Sequence, residues 1–311
     1  MNLANLMQGM GPNLLDAVGQ GVLWGIMVLG VYITFKLLDI ADLTVDGSFA
    51  LGGCVCAVMI VQKGYNPWIA LVIAALAGML AGAVTGILHT VFEIPAILAG
   101  ILTQIGLWSV NLRVMGQSNI PLLNVDNIFT RLVEITGLKQ SQISLFVGII
   151  IAVIIIVLLY WFFGTELGSA LRATGNNIDM IRALGVNTKV MKVLALMLSN
   201  ALVGLSGGLV CQSQKYGDIN MGTGAIVIGL AAIVIGDVLM GRLRSFGSKL
   251  TSAVVGSVVY FMIRAIVLQL GMDANDMKLL SAIIVALALC IPVAAQKIRE
   301  KKSYHADGGG K

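Results

Sequence analysis

The chain contains nine apolar runs, each near the ~20 residues that a helix needs to cross a lipid bilayer. Only 11% of its residues are charged and 58% are hydrophobic, whereas soluble domains carry about a quarter charged residues. So few charges cannot cover a water-facing surface. The pattern therefore predicts an all-α integral membrane protein with eight or nine transmembrane helices. The runs occupy residues 14–36, 43–62, 67–91, 94–115, 143–163, 188–213, 222–240, 246–270 and 277–297.

The N-terminal segment lacks the basic region and the A-x-A-like site of a cleavable signal peptide, so we expect the first apolar run to remain as a span. All four cysteines lie in apolar runs, where a thiol behaves as a small hydrophobic group. We therefore expect neither a disulfide nor a metal site from Cys54, Cys56, Cys211 and Cys290.

The distribution of Lys and Arg predicts the orientation of the spans. Cytoplasmic loops of membrane proteins carry an excess of these residues, and one face of the predicted bundle collects 13 of the 20. This face is predicted to be cytoplasmic, with the C-terminus inside, the N-terminus outside, residues 116–142 in an outer loop and residues 298–311 as a basic cytoplasmic tail. The 13 residues are Lys36, Arg172, Arg182, Lys189, Lys192, Arg242, Arg244, Lys249, Lys297, Arg299, Lys301, Lys302 and Lys311.

Two short glycine-rich runs share the pattern G-[ST]-x-A-[LI], at residues 47–51 and 222–226. The predicted orientation makes them run in opposite directions across the membrane, which is typical of an inverted-topology repeat. We expect residues 1–115 and 188–297 to form two inverted halves, joined by residues 116–163 as outer loop and connector span. In such folds the paired segments are short or broken helices near the bilayer midplane.

Polar residues inside these runs are candidates for a substrate pathway, because charge within a membrane is costly and often functional. Asp46 is interpreted either as a helix N-cap or as a contact for a cationic group of a substrate, and Ser48 and Thr223 share this ambiguity. Asp237 and Arg264 either line a pathway or pair with each other. Span three also carries Gly78, Gly82 and Gly86, a ridge that predicts close helix packing. The pathway candidates are Asp46, Gly47, Ser48, Gly222, Thr223, Asp237 and Arg264.

Residues 164–187 form a polar insert between two long apolar runs. Asn177 is a good N-cap and Gly185 a good C′ residue for a helix of about two turns. Ile178, Ile181 and Leu184 recur every third residue and predict one apolar stripe. A short capped helix with its own apolar stripe, held at the cytoplasmic surface, is predicted to dock on a partner.

The insert reads GTELGSALRATGNNIDMIRALGVN and resembles the permease subunits of ABC importers of the branched-chain amino acid and ribose type. The matching positions are Thr165, Gly168, Ala170, Leu171, Arg172, Ala173, Gly175, Asn177, Ala183, Gly185, Val186 and Asn187. In that family the segment is a coupling helix that inserts into a groove of a cytoplasmic ATPase. The resemblance assigns this coupling to Arg172, Gly175, Asn177, Ile178, Ile181, Arg182, Leu184 and Gly185.

The segment LTVDGSF at residues 43–49 stands where branched-chain amino acid permeases typically carry N-F-A-H-G-E. This variant resembles a subgroup often assigned to tryptophan or tyrosine import. An aromatic amino acid is therefore the favoured solute, with a nucleoside, a sugar or a branched-chain amino acid as alternatives.

The sequence contains no G-x-x-x-x-G-K-[ST] motif, so the chain is not expected to be an enzyme or to hold a cofactor. The resemblance implies that ATP and Mg²⁺ bind to separate ATPase subunits, that an external solute-binding (lipo)protein delivers the solute, and that two permease copies pair in the bacterial cytoplasmic membrane. The alternative function is a self-sufficient secondary transporter or channel, which the repeat fits equally well. An intramembrane enzyme would need a paired nucleophile and base or a metal cluster, and the sequence indicates neither.

Overall fold

The structure is a computed structural model that describes residues 3–123, 125–240 and 245–270, together with 276, 279, 281–287 and 290. Within this part of the chain, helices form the fold and two short strands, distant in sequence, add a small antiparallel sheet. A π-helical turn, Ile33–Leu37, extends the first helix. The elements are α1 Leu3–Tyr32, α2 Thr44–Val61, α3 Pro67–Thr90, α4 Ala96–Met115, β1 Asn119–Pro121, α5 Ile128–Thr136, α6 Gln140–Gly164, α7 Glu166–Asn176, α8 Ile178–Ala183, α9 Thr188–Gln214, β2 Tyr216–Asp218, α10 Ala225–Met240 and α11 Phe246–Gln269.

Seven helices in the described residues are long and apolar enough to cross a membrane, which confirms the all-α membrane fold. They are Asn13–Leu37, which includes the π-turn, and α2, α3, α4, α6, α9 and α11. The predicted run at 222–240 is the shorter helix α10, of 16 residues. Most of the predicted ninth run at 277–297, and the basic tail at 298–311, lie outside the described residues.

Close packing at glycines holds the bundle together. A Cβ atom at Gly78 or Gly82 of α3 would collide with the backbone carbonyls of Asn200 and Leu196 in α9, as the glycine ridge predicts. A Cβ atom at Gly21 of α1 would meet the backbone of Val258 in α11 in the same way. In the predicted repeat, α1 corresponds to α9 and α3 corresponds to α11. The contact of α3 with α9 therefore corresponds to the contact of α11 with α1. This packing agrees with the predicted repeat.

Two non-helical segments enter the bundle and position α2 and α10. Residues 38–43 lead into α2, and residues 219–224 run antiparallel beside α2 before α10 begins. Along this path the Cys54 thiol donates to the Asp218 carbonyl at 3.9 Å, and Gly222 packs against the Asp46 carbonyl. The predicted break in each helix therefore lies before the helix and not inside it. Glycines such as Gly52 allow α2 to approach α9 closely and do not mark a kink in α2.

The two ends of the bundle carry different elements. At one end, which we call the sheet end, β1 pairs antiparallel with β2, with Ile120 opposite Gly217. At the other end, which we call the α8 end, α7 and α8 connect α6 to α9. Lys189 pairs with Glu93 there at 3.3 Å, which places the α3–α4 connection at the same end. The described basic residues of the predicted cytoplasmic face lie at the α8 end: Lys36, Arg172, Arg182, Lys189, Lys192 and Lys249.

Candidate solute pathway and partner-docking segment

Asp46 joins the beginnings of α2 and α10. It lies in the first turn of α2, and its two carboxylate oxygens accept hydrogen bonds from the backbone amides of Gly224 and Ile226, each at 2.9 Å. These amides stand at the N-terminus of α10, where a helix lacks its own acceptors and favours negative charge. Asp46 therefore caps α10, a helix about 180 residues further along the chain. Its own helix is preceded by Asp42, which accepts from the Thr44 amide at 2.9 Å.

A small cleft of about 50 Å³ lies between the start of α2, the middle of α4 and the segment before α10. Trp108 of α4 borders it with a ring that is half exposed, and its indole N–H donates to Asn220 at 3.4 Å. The cleft opens on the surface of the chain instead of lying inside the bundle. The lining residues are Asp46, Gly47, Ala50, Gln104, Trp108, Asn111, Ile219, Asn220 and Thr223.

Asn111 is a buried polar residue of this cleft whose hydrogen-bonding capacity is unused. The residue is 1% exposed, and neither its side-chain nitrogen nor its oxygen has a partner in the part of the chain that the structure describes. A buried amide without partners costs on the order of 1–3 kcal/mol, so such a group calls for an explanation. A ligand in the cleft supplies one, because an amide both donates to a carboxylate and accepts from an ammonium group.

Three of the predicted pathway residues lie in this cleft, namely Asp46, Gly47 and Thr223. Ser48 does not line it, since it points into the core and is fully buried. Gly222 packs on the backbone of α2 because no side chain fits between the two segments. Gln104, Trp108 and Asn111 are not among the residues predicted from the sequence, although their spacing of four and three residues places them on one face of α4.

The alternative pairing of Asp237 with Arg264 is wrong. Asp237 forms an ion pair with Lys36 at 2.9 Å at the α8 end. Arg264 lies toward the sheet end, with its guanidinium 5.7 Å from the ring centre of Phe261. The two residues belong to the C-terminal parts of α10 and α11, which run in opposite directions, so their ends cannot meet. Neither residue lines the cleft.

A buried polar network fixes the segment before α2. The Asn200 side chain of α9 donates to the Asp42 carboxylate at 2.7 Å. Thr44 and Thr85 share a hydrogen bond of 2.7 Å, and Thr85 bonds Thr103 at 2.9 Å. The network links α2, α3, α4 and α9 at one level of the bundle. The Asn200 side-chain oxygen has no partner among the described residues, but the other hydrogen bonds hold the start of α2 and one wall of the cleft in place.

The insert at 164–187 is built from caps and close contacts at the positions of its motif. Thr165 caps α7 by accepting from the Gly168 amide at 3.3 Å, and a side chain at Gly168 would collide with Phe162. Asn177 caps α8 by accepting from the Met180 amide at 3.0 Å, as predicted. Gly185 follows α8 with a φ of 80°, the left-handed conformation expected of a C′ glycine.

The apolar stripe predicted for this insert is only partly exposed. Ile181 is 4% exposed and packs into the chain, whereas Leu184 is 69% exposed. The prediction of one continuous exposed stripe is wrong because a three-residue spacing does not stay on one face of a helix with 3.6 residues per turn. Leu184 is the C-cap of α8, its amide donates to the Met180 carbonyl at 3.2 Å, and its side chain lies on a different side of the helix from Ile181. The exposed residues at this site, which we call the α8 surface, are Asp179, Met180, Arg182, Ala183 and Leu184.

Two other residues assigned to coupling by the resemblance contact the bundle. The Arg172 guanidinium lies 4.7 Å from the ring centre of Phe246 at the start of α11. A Cβ atom at Gly175 would collide with the carbonyl of Leu37 in the π-turn after α1. These contacts join α7 to α1 and α11, so a displacement of the insert would be transmitted to both helices.

These apolar helices define a multi-pass membrane protein. Residues 13–289 match the family described as the branched-chain amino acid transport system / permease component, and the chain belongs to that family of ABC importer permeases. It is 40% identical over 272 residues to a tyrosine transport system permease protein of Clostridioides difficile (strain R20291), a match that covers 88% of each chain.

Two further comparisons are more distant. The chain is 28% identical over 214 residues to the autoinducer 2 import system permease protein LsrC of Escherichia coli (strain K12 / DH10B), covering 66% of this chain and 57% of the relative. The solved structure of PsaBC from Streptococcus pneumoniae in complex with Fab is 16% identical, with a TM-score of 0.34, over 84% of this chain and 95% of that chain.

Proposed function

We propose that the chain imports an aromatic amino acid, with tyrosine as the first candidate, through the cleft beside Trp108 and Asn111. The observation that carries this proposal is the unpartnered Asn111 amide, buried next to an indole ring. An aromatic ring stacks on indole, and the amide is a partner for the amino or carboxyl group. The relative that matches 88% of the chain is named for tyrosine transport, which supports this choice of solute.

The charge of the cleft favours a zwitterion. The Asp46 carboxylate is the charged group in the described lining, and two amides at the N-terminus of α10 already offset its charge. A cation or an anion would enter without a full counter-charge, whereas a zwitterion carries its own.

Two copies of the chain are proposed to face each other across this cleft. The cleft opens on the outer surface of α4, which exposes Leu102, Ile105 and Trp108 in the single chain. A second copy related by a two-fold axis would cover the same patch and close the pathway between the two clefts. The homodimer would then form a path that neither copy encloses alone.

Energy is proposed to enter at the α8 end from separate ATPase subunits. The α8 surface projects two apolar side chains, Met180 and Leu184, between charged neighbours, and this composition suits a protein groove. The α8 end would then face the cytoplasm of a bacterium, and the sheet end would receive solute from an external binding protein. Movement of the insert would reach α1 and α11 through Gly175 and Arg172.

Reconstitution tests this proposal against a self-sufficient transporter. Proteoliposomes would contain the chain alone, or the chain with the ATPase and the binding protein encoded near it. We expect uptake of radiolabelled tyrosine only in the complete system and only with ATP. Gradient-driven uptake by the chain alone would reject the proposed energy source.

Asn111→Leu is expected to reduce tyrosine uptake by about 10-fold or more without lowering the thermal stability of the chain. The substitution removes the amide that would bind the solute, but it breaks no hydrogen bond among the described residues. Uptake and the midpoint of thermal unfolding would be measured on the same preparation. Ser109→Ala, two residues away on α4 and outside the lining, is the control. Unchanged uptake in Asn111→Leu would contradict a role in the pathway.

Leu184→Asp is expected to reduce association with the ATPase by about 10-fold or more, because it places a charge at the exposed apolar centre of the α8 surface. Association would be measured by co-purification and by ATPase activity of the assembled complex. Leu123→Asp is the matched control, since Leu123 is also an exposed leucine but lies near the sheet end. If both variants associate equally well with the ATPase, the ATPase does not dock on the α8 surface.

A further inference from the structure

A second cavity, of about 620 Å³, lies between α1 and α11 toward the sheet end. This volume is within the range of ~300–1,000 Å³ that is usual for small-molecule sites. None of its lining residues lines the cleft beside Trp108. They are Asn13, Asp16, Ala17, Gln20, Trp24, Gln214, Phe261, Arg264, Ala265, Leu268 and Gln269.

Three polar atoms on the wall of this cavity are buried and lack a partner within the described part of the chain. They are the Gln20 side-chain oxygen, the Trp24 indole nitrogen and the Gln269 side-chain nitrogen. Trp24 as a whole is 7% exposed, so solvent does not reach its N–H. One acceptor and two donors thus belong to residues that line one space, and each costs free energy while it stays unpaired.

Opposite charges also line this cavity. Arg264 forms no ion pair among the residues that the structure describes, and its guanidinium lies over the ring of Phe261. Asp16 lies on the α1 wall of the cavity, opposite Arg264 on α11, and is close to Ser141. Trp24 and Phe261 contact each other with ring centres 5.5 Å apart and supply an aromatic surface between the charges.

We propose that this cavity binds a free α-amino acid with an aromatic or large apolar side chain, in its zwitterionic form. The carboxylate would be bound by the donors of Arg264, Trp24 and Gln269. The ammonium group would be bound by the acceptors of Asp16 and Gln20, and the side chain would lie against the aromatic surface. The proposal goes beyond solute passage through the cleft, because it assigns a second site with its own recognition groups. Only the use of L-tyrosine as a probe rests on the proposed function.

The test is equilibrium binding of radiolabelled L-tyrosine to the full-length chain in lipid nanodiscs. Arg264→Gln is expected to weaken binding by about 10-fold or more, since a charge-assisted pair is lost. Arg131→Gln, which removes an exposed arginine near the sheet end, should leave binding unchanged. Thermal unfolding of each variant would show that it is folded, and Arg264→Lys should retain part of the affinity. Tyramine and tyrosine methyl ester, which each lack the carboxylate charge, should bind the unmodified chain as weakly as tyrosine binds Arg264→Gln.

Asn111→Leu separates this site from the cleft. We expect an Arg264-dependent binding component to survive in Asn111→Leu. If all tyrosine binding is lost in Asn111→Leu and none in Arg264→Gln, the proposal is wrong and binding belongs to the cleft. Absence of binding at ~1 mM tyrosine would also overturn the proposal. So would the loss of a co-purified phospholipid as the sole effect of Arg264→Gln. If the chain binds tyrosine in an Arg264-dependent way but transports none, the proposed function is wrong and the second site is supported.

Discussion

Asp46→Ala is expected to lower the free energy of unfolding by about 3–5 kcal/mol and to abolish transport. The carboxylate accepts two backbone hydrogen bonds at 2.9 Å, from Gly224 and Ile226, and a hydrogen bond to a charged group contributes ~1.5–3 kcal/mol. Without the carboxylate, both amides stay in a poorly hydrated site with no acceptor, and α10 loses its cap. Detergent-solubilised chain would be unfolded thermally and with SDS, and uptake would be measured in proteoliposomes.

Two neighbouring variants serve as controls for this result. Asp46→Asn keeps one carbonyl oxygen as an acceptor, so about half of the loss is expected. Ser48→Ala removes a buried hydroxyl that has no partner among the described residues, so stability should be unchanged or slightly higher. If Asp46→Ala proved as stable as Ser48→Ala, the capping role would be wrong.

The loss of transport has a geometric cause besides the loss of stability. α2 and α10 belong to different predicted halves, and the Asp46 carboxylate connects their N-terminal ends beside the cleft. A movement of one half would therefore act on the other at the point where the solute is proposed to pass. Weakening this connection should uncouple the halves even in molecules that remain folded.

The spans and caps could be predicted from the sequence because they depend on local properties. The predicted runs at 67–91 and 246–270 agree with α3, Pro67–Thr90, and α11, Phe246–Gln269. Asn177 and Gly185 were predicted as the caps of α8, and a cap depends on neighbouring backbone groups. The glycine ridge of α3 was likewise predicted to pack closely. Its partner helix was not predicted, since the ridge does not specify one.

The cleft could not be predicted in the same way because it brings together distant parts of the chain. Asp46 was interpreted as a cap or a ligand contact, and it caps a helix that begins at Ala225. Gln104, Trp108 and Asn111 have a helical spacing that indicates one polar face on α4. Which segment this face meets depends on the path of residues 219–224, and those residues carry no periodic pattern of their own.

The incorrect part of the stripe prediction has a similar cause. A spacing of three residues falls short of the 3.6 residues of a helical turn, so each step moves the side chain by about 60° around the axis of α8. Ile181 faces the bundle, where it shields the short helix from water. Leu184 lies past the last turn and remains exposed. The caps Asn177 and Gly185 indicate where the short helix begins and ends, but the spacing alone could not indicate which of its apolar residues face the bundle.

Gly52→Ala is expected to destabilise the chain by about 3 kcal/mol or to prevent its folding, because three helices meet at glycines without side chains between them. A Cβ atom at Gly52 of α2 would collide with the backbone of Gly204 in α9, and Gly204 in turn packs against Gly78 of α3. Overpacking a close-packed interior costs ~1–3 kcal/mol, and more where backbone must move. α9 cannot yield toward α3 because the Gly78 backbone already lies there.

Gly106→Ala provides the matched comparison for this prediction. Gly106 lies in the middle of α4, another span, and a Cβ atom there would have no neighbour within 4 Å among the described atoms. The same change of residue should therefore be neutral or stabilise α4 by up to ~1 kcal/mol, since alanine favours a helix over glycine. Thermal unfolding in detergent would compare the two variants directly. Equal effects at both positions would mean that helix propensity, and not contact between α2 and α9, decides the result, and the close packing that positions the cleft would have to be reconsidered.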